Sequence, residues 1–298
     1  YSRKYCEIDC SVLREGYEIF RGWIKELCNI DIDKVLSIAS LSHKYLVSKG
    51  CYEDIYEVSG AVREFIQKAV VGGRTMTNQN KKWRTNIKMA DFDAVSLYPS
   101  AMAQLKGFLR GRPKVLKDFD YNTIKNYDGY FIRVLVKGIK KERQFPLAST
   151  ITEKGTRDFI NEIVGRELYL DKTMLEDLIE FQGVEVEILE GYYYNEGFNP
   201  KITEEIRYLF NFRKQKKKEG NPIQEAIKLL LNSSYGKTIL KPITTDTEVV
   251  SKVKYDKKTK KYINNWNNYI NRNYNYIQDY TPVDNKVIVR KYKPINEH

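Results

Sequence analysis

Apolar residues Ile8, Val12, Leu13, Phe20 and Ile24 recur at roughly helical spacing across residues 3 to 28, and residues 33 to 70 hold two more helical segments. The N-terminal quarter therefore reads as helical. Val71-Gly72-Gly73-Arg74 breaks that pattern and marks a subdomain boundary near residue 72. Beyond it, Thr85 to Val95 reads as a strand, YFIRVLVKGI from 130 to 139 as a second, and VEVEILEGYYY from 184 to 194 as a third. A helix is expected at about 172 to 182, between the last two. Helices and strands mix without a regular βαβ rhythm, so an α+β domain with a partly antiparallel sheet fits better than a doubly wound one.

The clearest local prediction is a helical hairpin. The segment EEIRYLFNFRKQKKK is followed by Gly220, Asn221 and Pro222, and then by IQEAIKLLLNSSYG. Gly220 suits the left-handed residue that ends a helix, Asn221 an N-cap and Pro222 a first helical turn. Gln224 completes a capping-box pattern. Two antiparallel helices are expected.

Composition narrows the function. The chain has 298 residues, 42% of them hydrophobic, enough for real cores. Its 51 Lys and Arg against 39 Asp and Glu give a net charge of +12, which points to an anionic partner, nucleic acid ahead of a membrane surface. Nothing resembles a signal peptide, and no run of about 18 apolar residues is present, so a soluble intracellular protein without a membrane partner is expected. Cys6, Cys10, Cys28 and Cys51 form no CxxC pair and only His43 and His298 accompany them, which supports free thiols over a zinc site. The first residue is Tyr rather than Met, so a piece of something longer is expected. The segment YDKKTKKYINNWNNYINRNYNY fits either AT-rich codon bias or tyrosines placed among lysines to stack on bases.

Two clusters carry candidate chemistry. On a strand, Asp91 and Asp93 share one face, and a divalent cation at the strand end would neutralise them. Pro99 would then start a helix whose free N–H groups, near Ser96 and Leu97, meet a phosphate. The alternative is an exposed strand end with solvated acids. On the hairpin, Arg213 and Lys217 share one face of the first helix, and Lys228, Asn232 and Tyr235 one face of the second. A triphosphate between them would relieve the repulsion of the cations; the alternative is a solvated basic face. Gly236-Lys237-Thr238 ends like a P-loop, but Leu231 stands where its first glycine belongs.

Asp93-Ala-Val-Ser96-Leu97-Tyr98-Pro99-Ser100 and Lys228-Leu-Leu-Leu-Asn232-Ser233-Ser234-Tyr235-Gly236 resemble the DxxSLYPS and KxxxNSxYG motifs of family B DNA polymerases. Arg213 and Lys217 resemble the RxxxK element of the fingers. Val71-Gly72-Gly73 resembles the YxGG linker, with Ala69 or Val70 where a Tyr would stand, and Tyr5 with Asp9 is similar to the YxxxD exonuclease motif. The long stretch from Asp93 to Arg213 resembles the insertion of the protein-primed, organellar and viral branch, where such inserts grip DNA or a terminal protein.

The resemblance implies a C-terminal helical piece of an exonuclease domain with its linker over 1–72 and a palm with an insertion over 73–205. It implies helical-hairpin fingers over 206–240 and a return to the palm, with an insertion, over 241–298. It implies template-directed deoxynucleotidyl transfer with two Mg²⁺ ions, or Mn²⁺ in their place, held by Asp93 and the backbone of Ala94. Ser96, Leu97, Tyr98, Arg213, Lys217, Lys228, Asn232, Tyr235 and Gly236 would bind the nucleotide, Tyr98 against its sugar. Gly72, Gly73 and Lys237 would bind DNA. The implied partners are primer–template DNA, dNTPs, a terminal protein and a separately encoded C-terminal polymerase part, in a viral replication site in the host cytoplasm, or in an organelle. One departure matters: no YxDTDS, source of the second metal-binding carboxylate, follows Gly236, and the first two exonuclease motifs are missing. The chain alone is therefore expected to be inactive. The alternative is a non-catalytic nucleic-acid-binding remnant of a polymerase.

Overall fold

Free of proline, helix α1 runs unbroken over Ser2–Cys28. Only its last turns are packed, with Ile24 buried and Phe20, Trp23 and Leu27 against the same core. Ile8, Val12 and Leu13, whose spacing indicated the helix, stand in solvent. Helix α2 (Ile38–Ser48) starts where Ser37 Oγ accepts from Ser40 N–H at 3.2 Å, and α3 (Gly60–Ala69) ends just before the glycine pair. This computed structural model describes residues 2–75, 82–153, 155–238 and 245–292.

The strand expected over Thr85 to Val95 is absent. A strand exists only where a neighbour takes its N–H and C=O groups. Among the described residues none lies alongside 82–94, and Ile87 N–H goes to Thr85 Oγ1 at 3.0 Å instead. The turn that follows leads into a short helix, α4 (Leu97–Met102).

An antiparallel sheet occupies the middle of the chain. After β1 (Phe108–Leu109), β2 (Lys114–Val115) and α5 (Tyr121–Ile124) comes β3 (Gly129–Gly138), then β4 (Ser149–Ile151), β5 (Arg157–Phe159) and β6 (Glu167–Asp171). Helix α6 (Lys172–Gln182) joins β6 to β7 (Glu185–Tyr194), and β8 (Phe198–Asn199) pairs back with β1. The main sheet runs β2-β7-β3-β6, and every pairing between named strands of the chain is antiparallel. Tyr130, Ile132, Val134 and Val136 alternate inward along β3, where α6 covers them with Leu175 and Leu178. Asp171 caps α6 by accepting from Met174 N–H at 2.7 Å, and Gly183 ends it at φ +59°. On the other face Arg133 bridges Glu167 and Glu190, each at 2.8 Å, and Phe65 of α3 lies edge-on to Tyr169 and Tyr192.

Helices α7 (Lys201–Lys218) and α8 (Ile223–Thr238) form the expected hairpin. Gly220 takes φ +68°, and two bonds close α7: Gly220 N–H to Lys217 C=O at 3.2 Å and Asn221 N–H to Lys216 C=O at 2.9 Å. The expected capping box does not form. It needs the Asn221 N–H that α7 has already taken, so the Gln224 amide turns to Glu225. Ile206, Leu209, Ile227 and Leu231 pack with Tyr45 and Leu46 of α2, while Ala226 and Leu230 pack with Ile24 and Leu41.

The chain divides into two compact units, Tyr1–Lys237 and Thr238–His298; the expected boundaries at 72 and 205 fall within the first, and that at 240 lies outside the described residues. The second unit holds β9 (Thr245–Ser251), β10 (Val253–Asp256), β11 (Lys261–Asn264), α9 (Asn265–Asn273), β12 (Ile277–Val283) and β13 (Lys286–Tyr292). There β10 pairs with β11, and a three-stranded sheet runs β12-β13-β9, with Val250, Val287 and Val289 buried against Trp266 and Tyr269.

Candidate active site

Residues 91 to 95 are exposed, and neither Asp91 nor Asp93 has a hydrogen-bond or ion-pair partner among the described residues. Ser96 then enters the left-handed region at φ 49°, a conformation that costs a non-glycine residue roughly 1–2 kcal/mol. Three bonds hold it. Ser100 N–H donates to Ser96 C=O at 2.9 Å, Ser100 Oγ donates to Val95 C=O at 2.9 Å, and Arg213 Nη1 reaches across from α7 to Ser96 Oγ at 3.1 Å. The helix starts at Leu97 rather than Pro99, which sits buried inside the first turn, where a missing N–H leaves no helical bond unmade.

From the second helix of the hairpin, Tyr235 stacks flat on Tyr98, with ring centroids 4.5 Å apart and planes 6° apart. Tyr98 is 45% exposed, so it is not a core residue. Its hydroxyl lies against Gly73, where a Cβ would come within 2.7 Å of it. Ser96, Tyr98, Arg213, Tyr235 and Gly73, expected from separate motifs, thus meet in one corner. Leu97, Lys217, Lys228 and Asn232 are exposed, without side-chain hydrogen bonds or ion pairs among the described residues. Gly236 is half-buried, and Lys237 approaches His43, whose imidazole is driven below its usual range first by burial and then by that ammonium. Gly72 is exposed. Tyr5 and Asp9 stand one turn apart on the solvent-exposed half of α1.

Several supports were missed at the level of sequence. Thr203 Oγ1 donates to Leu105 C=O at 3.1 Å and Arg207 Nε to Ala103 C=O at 2.6 Å, tying the end of α4 to α7 beside a shallow cleft of about 270 Å³. Thr203 and Arg207 are one turn apart on the helix that carries Arg213, a spacing that was open to reading. Arg157 holds the end of α3 through Lys68 C=O at 3.3 Å and Val70 C=O at 3.2 Å, and Arg74 Nη1 donates to Pro146 C=O at 2.6 Å. No periodicity points to those clamps.

A divalent cation fits Asp93 in one respect, an exposed carboxylate with nothing else bound to it. Among the described residues no group of three or more His, Cys, Asp or Glu is gathered to hold a metal, so Asp93 supplies only part of a donor set. No helix among them is long and apolar enough to cross a membrane.

Known proteins resemble this chain over most of its length. A family model described as DNA polymerase type B, organellar and viral, matches residues 2–297. The DNA polymerase of Acidianus bottle-shaped virus (isolate Italy/Pozzuoli) is 26% identical over 185 residues, covering 58% of this chain and 26% of the relative. A probable DNA polymerase of Ascobolus immersus is 26% identical over 300 residues, covering 99% of this chain and 23% of the relative. Phi29 DNA polymerase in an orthorhombic crystal form shares the fold with a TM-score of 0.52 at 16% identity, over 88% of this chain and 49% of that one. The chain thus spans about a quarter of the length of the curated relatives it matches.

Proposed function

The chain belongs to the organellar and viral type B DNA polymerases, and from that membership we propose that it supplies the palm and fingers of a template-directed DNA polymerase. The reaction is transfer of a deoxynucleotidyl group to a primer 3′-hydroxyl. One observation carries this reading to particular residues: Arg213 Nη1 bonds to Ser96 Oγ across 117 positions of sequence, joining the DxxSLYPS turn to the basic helix.

Asp93 and the Ala94 carbonyl would hold Mg²⁺, or Mn²⁺ in its place. When bound, two such ions activate the 3′-hydroxyl and neutralise the leaving pyrophosphate. The chain's own residues bind and orient. Arg213, Lys217 and Lys228 supply cations for a triphosphate, with the backbone N–H groups of Ser96 and Leu97 beneath. Arg213 Nε is shut away from water without an acceptor among the described residues, a cost of about 1–3 kcal/mol that an approaching phosphate would relieve. Asn232, Tyr235 and Gly236 contact the nascent base pair, and Tyr98 lies under the sugar. Gly72 and Lys237 track the primer–template backbone, while Gly73, expected with them, lies against the Tyr98 hydroxyl instead. Tyr5 and Asp9 belong to the exonuclease part, 1–72, which precedes the palm. Initiation from a terminal protein, in a viral replication site or an organelle, completes the proposal.

No YxDTDS follows Gly236, so this chain by itself should bind primer–template DNA without extending it. Binding should weaken steeply with salt, as counterion release requires of a +12 chain. Mg²⁺-dependent extension by the pure 298-residue chain would overturn its need for a second carboxylate, and a flat salt dependence would sink the nucleic-acid reading. Supplying a segment that carries the second carboxylate should restore extension.

A further inference from the structure

We infer that Gly73 is a positioning residue for the incoming nucleotide, acting through Tyr98: it sets the height of the tyrosine ring by leaving room for its hydroxyl. The inference rests on the reading of this corner as the nucleotide site. Two glycines stand side by side in the linker, and neither has the positive φ that would demand glycine for backbone reasons. Around Gly72 a Cβ would meet nothing within 4 Å, whereas at Gly73 it would lie 2.7 Å from Tyr98 Oη. Backbone freedom therefore does not explain the second glycine, and the tyrosine does.

The contact is close because both of its sides are held. On the linker side, Arg157 binds the carbonyls of Lys68 and Val70, and it is itself fixed by Ser149 Oγ at 3.0 Å. Arg74 lies over the Phe159 ring at 4.2 Å while bonded to Pro146 C=O. Residues 70 to 74 are thus strapped to the β4–β5 hairpin by one arginine on each side of Gly73. On the other side the Tyr98 ring lies flat on Tyr235, and its helix is tied to α7. A methyl group at position 73 would have to displace the hydroxyl end of that ring. A ring that no longer lies at the height of the sugar fits a deoxyribose less well, and the loss appears in nucleotide binding rather than in DNA binding.

The test is a double-mutant cycle in the polymerase that carries this chain, with Gly73→Ala made alone and in a Tyr98→Phe background. Gly73→Ala should raise the KM for deoxynucleotide by about fivefold, with the Kd for primer–template within about twofold. In Tyr98→Phe the obstructing oxygen is gone, so the same substitution should change KM by less than about 1.5-fold. A KM increase that persists in Tyr98→Phe overturns the inference. So does a loss of DNA affinity with KM unmoved, which would make Gly73 a direct DNA contact. Tyr98→Val separates the two levels of argument: if it relaxes the choice between ribonucleotide and deoxynucleotide while Gly73→Ala is silent, only the role of Gly73 fails. If Tyr98→Val leaves that choice unchanged, the nucleotide-site reading fails with it.

Discussion

The β2-β7-β3-β6 sheet and the segment from residue 82 to Tyr98 belong to the same compact unit and are built on opposite terms. In the sheet every second residue of β3 is buried, α6 closes over it, and both backbone edges of β3 are paired. In the segment Trp83, Ile87, Met89 and Phe92 are largely exposed, and nothing pairs with the backbone of 82–94 among the described residues. Order in the first comes from burial, which is local and redundant. Order in the second is borrowed, from Arg213 at Ser96, from Tyr235 at Tyr98 and from the clamped linker at Gly73. The region to which the proposed chemistry belongs thus has little packing of its own.

The contrast is tested most strongly at Asp93. In the polymerase that carries this chain, Asp93→Asn should lower kcat by at least about a thousandfold, ~4 kcal/mol at 1.36 kcal/mol per decade, while unfolding free energy moves by less than about 0.5 kcal/mol. Steady-state extension and a urea titration would measure the two. A comparable loss of stability would mean that the segment is packed after all. The mirror-image substitution is Leu178→Ala in α6, at a residue with 0% exposure. It should cost about 2–5 kcal/mol of stability, read as a lower urea midpoint at unchanged slope. A cost below about 1 kcal/mol, nearer that of a surface substitution, would show the sheet core to be loosely filled.

A smaller effect is expected where the two regions' properties mix. Tyr98→Val removes the ring under the sugar and should raise the relative kcat/KM for ribonucleotides by about tenfold, on the order of 1.4 kcal/mol. Melting temperature should change little, because Tyr98 is partly exposed and its stack on Tyr235 is peripheral to the cores. An unchanged nucleotide ratio with lowered stability would assign Tyr98 to packing and not to selection.

Legibility in the sequence divides along the same line. Period-two alternation in YFIRVLVKGI and the Gly220-Asn221-Pro222 punctuation gave β3 and the hairpin nearly to the residue, because both signals are local consequences of burial and backbone geometry. Thr85 to Val95 carried a strand-like pattern and no strand, since pairing depends on a neighbour that the pattern does not contain. The apolar face of α1 shows the same limit: helical spacing announces a face but not what covers it. Ser96, Tyr98, Arg213 and Tyr235 were found by motif and expected around one nucleotide, yet the bond and the ring stack that join them were not, and neither were Arg74, Arg157, Thr203 or Arg207, whose bonds go to backbone carbonyls far away in sequence.

The smallest expected effect concerns Asp171, the carboxylate that links the sheet to α6. Burial raises its pKa above the usual carboxylate range, the Met174 N–H opposes that shift, and Asp177 adds to it. An acid whose folded pKa lies above its unfolded value favours the folded state while it is protonated. That contribution is lost as pH rises from the unfolded to the folded pKa. Asp171→Asn keeps an acceptor for Met174 and cannot ionise, so it isolates the charge from the cap. Between about pH 3 and about pH 7 the urea midpoint of the parent should therefore fall relative to that of Asp171→Asn. A difference that stays constant across the range would mean that the capping bond offsets burial, so that folding leaves the ionisation of Asp171 unchanged. The packed region would then carry the half-buried Asp171 without cost, and the contrast with the solvated acids at 91 and 93 would rest on packing alone.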